Sequence, residues 1–227
     1  MMIDLIGLPG CGKSFFSTRL RHELIQDGFH VQDISRNRST PFRYKLFFKL
    51  MALAVRFFPS CYQKRKIVLK QLDVQSKRSS FLDRRINDIV DDILLHIYTH
   101  KVLKSKRKIY INDEGILHKV LYLSVFFDVS VERALEIFQP FDTQSLTIFI
   151  RNLPEQSFLF IKERNRKDCS MDFLSDDIMK CYLDKFYQKM NVAQRKINLF
   201  EIDRNDSLEN RVLMAKKKII EFKGTNV

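Results

Sequence analysis

A chain of 227 residues is long enough for one α/β domain with a substantial core and too short for two ordinary ones. Its 40 Lys and Arg against 27 Asp and Glu leave a net charge of +13, which favours anionic partners: nucleotides, phosphorylated substrates, nucleic acid or acidic lipid. The four cysteines, at 11, 61, 169 and 181, form no C-x-x-C pair and so suggest neither a disulfide framework nor a zinc site, and the leading apolar run is too short for a signal peptide or a membrane span. A reducing, cytoplasmic setting is the expectation.

The organising stretch comes first. Ile3 to Ile6 reads as a buried strand, and Gly7-Leu8-Pro9-Gly10-Cys11-Gly12-Lys13-Ser14 fits G-x-x-x-x-G-K-[ST] at every position. Glycines let the backbone turn its N–H groups inward around a phosphate chain, and Lys13 brings an ammonium to the β- and γ-phosphates. Ser14 offers a hydroxyl to Mg²⁺, and the helix opening through Phe15 aims its positive end at the same anions. Residues 7 to 15 are therefore the expected ATP-binding set. The helix is predicted to run from Phe15 to Asp27 and stop at Gly28. Cys11 reads as a small filler whose thiol is expected to react with alkylating reagents unless ATP protects it.

Phe29 to Ile34 is a second predicted strand, completing a strand, loop, helix, strand unit. Arg36 and Arg38 follow it, at the carboxyl edge where open parallel sheets bind ligands. They read either as anion-holding residues for the second substrate or as a solvated basic loop. From Arg36 to Ser80 there are twelve Lys or Arg against one acid, Asp73. Phe42 to Phe58 is apolar apart from Arg43, Lys45, Lys49 and Arg56, and is predicted to be a helix ended by Pro59. Three readings stay open for this basic segment: a helical insertion on the core, an amphipathic contact with an anionic membrane through residues 42–58, or nucleic acid, which the lack of a base-stacking sheet pattern disfavours. Residues 36–107 are taken as a helical insertion on the acceptor side. Within it, Phe81 to Leu103 has helical spacing, and His96 and His100 one turn apart read as surface or core histidines rather than metal ligands.

Lys108 to Asn112 is an apolar strand that ends in Asp113-Glu114-Gly115. Placed after a phosphate loop, an acid there holds hydrated Mg²⁺, and a second carboxylate takes a proton or orients the attacking group. Asp113 is assigned to the metal with Ser14, and Glu114 to substrate or base. Helices follow at 116–127 and 130–138, the latter capped by Ser130, then a strand at 146–150 and a helix from Pro154 to the cluster Lys162, Arg164, Arg166 and Lys167. A helix at 176–192, a strand at 198–203 and a final helix at 206–222 with a capping box, Asp206 and Glu209, complete the chain.

This order of parts resembles the P-loop kinase group that includes thymidylate kinase. The likeness rests on the phosphate loop, on Leu153-Pro154-Glu155 with Ile161 and Arg164 behind it, and on Phe200-Glu201-Ile202-Asp203-Arg204 with Glu209. It implies a three-layer α/β P-loop NTPase fold, a parallel five-stranded sheet flanked by helices, and a lid at 162–175. In that lid Arg164, Arg166 and Lys167 would close over the transferring phosphate, with Lys13, Asp113 and Glu114 as the other catalytic groups. Thymidylate kinases place Asp-Arg after the third strand; Asp113-Glu114-Gly115 stands here instead, which removes a partner for a nucleotide monophosphate. The phrase Ile6-Gly7-Leu8-Pro9-Gly10, with Asp113-Glu114-Gly115, is also similar to kinase-like proteins of bacterial polysaccharide gene clusters. The expectation is an ATP- and Mg²⁺-dependent phosphotransferase acting on a small acceptor, with a sugar unit favoured. A nucleoside monophosphate kinase and an NTP-hydrolysing switch docking on membrane or nucleic acid are the alternatives.

Overall fold

The structure, a computed structural model, describes residues 1–34, 46, 50, 59–72, 80–103, 108–127, 129–138, 145–164 and 173–225. Among them are five strands, β1 (Met2–Ile6), β2 (His30–Asp33), β3 (Lys108–Asn112), β4 (Ser145–Arg151) and β5 (Phe200–Asp203). All pair in parallel, in the order β2-β3-β1-β4-β5. The described helices are α1 (Lys13–Gln26), α2 (Pro59–Leu72), α3 (Ser80–Leu103), α4 (Ile116–Phe126), α5 (Val131–Phe138), α6 (Pro154–Glu163), α7 (Asp176–Gln194) and α8 (Leu208–Thr225).

β1 is central and buried along its whole length, because helices cover both faces of the sheet. Side chains alternate between the two faces. Ile3 and Leu5 meet Phe16, Leu20 and Leu24 of α1 and Val212, Ala215 and Ile219 of α8 on one side. Ile6 and Phe149 meet Leu117 and Leu121 of α4, Ile161 of α6, and Leu183 and Phe186 of α7 on the other. Each such fully buried side chain contributes about 2 kcal/mol. The result is the three-layer α/β architecture expected from the sequence. A further cluster ties α2 and α3 to α4 and α5 through Val68, Leu72, Val90, Ile93, Leu94, Val120, Leu123 and Ala134.

Two element ends differ from the sequence reading and two match it. Pro59 begins a helix, while the expected helix before it lies mostly outside the described residues; the first turn has no use for the missing N–H and suits the fixed φ of proline. The last helix is capped by Ser207, whose Oγ accepts the Asn210 N–H at 3.1 Å, and not by Asp206. Asp206 instead closes the preceding turn, its N–H reaching Asp203 O at 3.3 Å. The expected stop of α1 at Gly28 is present: Gly28 N–H donates to Ile25 O and Phe29 N–H to Leu24 O, both at 3.0 Å, the paired bonds of a Schellman end. Ser130 caps α5 as expected, accepting the Arg133 N–H at 3.1 Å. No described helix is long and apolar enough to cross a membrane.

Candidate active site

The phosphate loop leaves the carboxyl end of β1 and wraps onto α1. Gly10 and Gly12 sit at φ +83° and +88°, where a Cβ is strained. Gly10 is also hemmed in by α6, since an added Cβ would lie 2.7 Å from Ser157 O and 3.0 Å from Ile161 Cγ1. The helix beneath the predicted lid is thus packed directly on the loop, and Arg164, three residues beyond Ile161, caps its carboxyl end. Lys13 Nζ donates to Gly7 O at 2.8 Å and Leu8 O at 3.0 Å, which holds the ammonium inside the loop. Ser14 and Phe15 are exposed in the first turn of α1.

Cys11 departs from expectation. Its side chain is fully buried among the residues joining α1 to the sheet, and its Sγ would stand 2.8 Å from a Cβ on Gly7. Burial shields the thiol from reagents, while Lys13 Nζ lies 3.8 Å from its Sγ on the loop side.

β3 lies next to β1, with Asp4 opposite Asn112, so Asp113 and Glu114 emerge beside the loop. Asn112 shapes that turn: its buried side chain accepts the Glu114 N–H and donates to Glu114 O, both at 3.3 Å. Gly115 is required by close approach, because a Cβ there would lie 2.4 Å from Asp4 Cβ. Lys119, one turn into α4, donates to Glu114 Oε2 at 2.6 Å and pairs with Asp92 of α3 at 3.2 Å. Burial works against the Glu114 charge, but Lys119 outweighs it, with Lys13 adding to the same effect, and the carboxyl is held at about 2. Lys119 in turn is pushed up: its own burial opposes the charge, but Glu114 and Asp92 prevail. His118 is buried beside the same groups, its ring edge-on to Tyr122 at 4.9 Å between centroids. Burial first, and then Lys13, lower its pKa to about 3, so the imidazole is neutral.

Of the residues expected to form the site, the loop, Lys13 and Glu114 are brought together, with Asp113 half-buried at the end of β3 beside the loop. Arg164 stands at the carboxyl end of α6. Arg36, Arg38, Arg166, Lys167 and most of 42–58 lie outside the described residues. Lys119, His118, Asn112 and Asp92 were not singled out by the sequence. Ser14 and Asp113 supply hydroxyl and carboxylate oxygens, a hard donor set that suits Mg²⁺ with phosphate and water completing its shell.

Fold and loop together define a P-loop α/β protein. Neither a protein family nor a curated protein matches the chain in sequence. Solved structures do: deoxyadenosine kinase from M. mycoides with bound dATP superposes with a TM-score of 0.53 at 14% identity, covering 96% of this chain and 98% of that one. The same enzyme with the products dCMP and a flexible dCDP gives 0.51 at 14%, covering 97% and 99%. The shared fold therefore runs through essentially the whole length of both chains.

Proposed function

We propose that this protein is an ATP-dependent phosphotransferase, a kinase for a small acceptor. The observation that carries the reading is the junction of β1 and β3, where Lys13 is seated in a glycine loop and Asp113 and Glu114 emerge from the neighbouring strand. Inward amides and Lys13 bind and orient the triphosphate. Ser14 and Asp113 would hold Mg²⁺, which when bound draws charge from the β- and γ-oxygens. Glu114, fixed by Lys119 and ionised throughout the working pH range, orients an acceptor hydroxyl; a carboxyl held near 2 is too weak a base to take its proton early. That role suits phosphoryl transfer, where positioning and charge stabilisation supply most of the rate. Arg164, with Arg166 beyond it in the chain, provides cations to the transferring group.

The full-length likeness to deoxyadenosine kinases supports a nucleoside as acceptor over the sugar unit favoured from sequence. The test is incubation with ATP and MgCl₂ against panels of nucleosides, nucleoside monophosphates and sugars, reading phosphorylated product by mass spectrometry. A nucleoside gaining one phosphate in step with ADP release is expected, and Lys13→Ala should lower that rate by on the order of 100-fold or more. Free phosphate as the sole product with every acceptor would replace the kinase with a hydrolase.

A further inference from the structure

The other flank of the phosphate loop carries two arginines that neither the loop motif nor the carboxylate strand accounts for. Arg204 opens the turn between β5 and α8, and Arg211 lies in the first turn of α8. Arg204 is anchored through its main chain to β4, donating to Arg151 O at 2.9 Å, and its guanidinium stands over the Phe160 ring at 5.1 Å. Its Nε would be 3.4 Å from a Cβ on Gly12, which places the head group against the residue that opens α1.

Arg211 is only 4% exposed, and among the described residues neither its Nε nor that of Arg204 has a hydrogen-bond partner. Burying a guanidinium without a bonded counter-ion is expensive. Burial and the neighbouring Arg204 both lower its pKa, and the weaker pull of Cys11, Asp206 and Glu209 does not reverse this. With Lys13, the loop is thus bordered by three cations, and among the described residues no carboxylate is bonded to either arginine. Such an arrangement is relieved by an anion.

Topology says which part of a ligand meets them. In the order β2-β3-β1-β4-β5 the loop follows the central strand, Asp113 and Glu114 lie on its β3 side, and Arg204 and Arg211 on its β5 side. A triphosphate whose γ end faces the carboxylates extends its α-phosphate and nucleoside toward β5. We infer that Arg204 and Arg211 form an α-phosphate subsite for the donor nucleotide, separate from the β,γ-cradle of Lys13. This rests on the kinase reading of the loop.

The test is titration calorimetry of the full chain with MgATP and with magnesium pyrophosphate, which lacks the α-phosphate and nucleoside. Arg204→Ala should weaken MgATP about tenfold and leave pyrophosphate unchanged, with Arg204→Lys recovering part of the loss. Arg211→Met should act in the same direction, and melting without ligand checks that each variant is folded. Equal losses on both ligands, or unchanged MgATP affinity in a folded Arg204→Ala protein, would overturn the subsite while leaving the kinase reading intact. A wild-type chain that does not bind MgATP, or binds it as well after Lys13→Ala, would overturn both.

Discussion

His118 shows how much the site costs a single side chain. It is buried at the start of α4 between a P-loop lysine and a Glu–Lys pair, and the surroundings keep it neutral with a pKa of about 3 against an ordinary 6.5. The unfolded chain binds a proton below pH 6.5 that the folded chain refuses, so stability is complete above 6.5 and is lost as pH falls toward 3. Each pH unit in that interval costs about 1.4 kcal/mol. Between pH 6.5 and 5, above the range where carboxylates take part, His118 should account for a loss of about 2 kcal/mol. Urea denaturation across this interval should therefore show a flatter profile for His118→Asn than for wild type; parallel profiles would mean that the imidazole is not held neutral. At the same scale, the identity of Gly115 is steric rather than conformational. Its neighbour Asp4 occupies the space where a Cβ would go, which no pattern in the local sequence announces.

Among the elements, the helix ends carry energies that sequence spacing placed one residue off. Asp206 followed by Glu209 has the form of a capping box, yet Ser207 makes the capping bond and Asp206 serves the turn. Ser207→Ala should cost about 1 kcal/mol of stability in chemical denaturation, and Asp206→Ala less; the reverse ranking would restore the box at 206. All five strands were legible, because short apolar runs bounded by turn residues leave few other solutions once a phosphate loop fixes the first. α2 was not. Lys64, Arg65, Lys66 and Lys70 dominate its composition, and among its described side chains only a narrow stripe at Val68 and Leu72 is buried. Part of its basic character serves the fold itself, since Arg65 bonds Asp91 at 2.5 Å and Asn87 at 2.6 Å of α3.

At the level of the whole molecule, the site is built from segments far apart in the chain, and this limits what a linear reading finds. The loop, Asp113 and Glu114 were legible because their residue types and order carry the chemistry themselves. Lys119, Asp92 and Arg211 become part of the site only when the strand order sets α3, α4 and α8 around β1, and that order is a property of packing. The same convergence makes ligand binding a global stability effect. A ligand that binds only the folded chain, present at about 100 times its Kd, adds about 2.7 kcal/mol. For a chain of this length that raises the melting temperature by roughly 5–10 °C. Thermal unfolding with MgATP should show this shift, and Lys13→Ala, which removes the ammonium bonded to Gly7 and Leu8, should abolish it. A shift of the same size in the variant would place the nucleotide elsewhere on this cationic surface, and no shift in either protein would remove ATP as the donor.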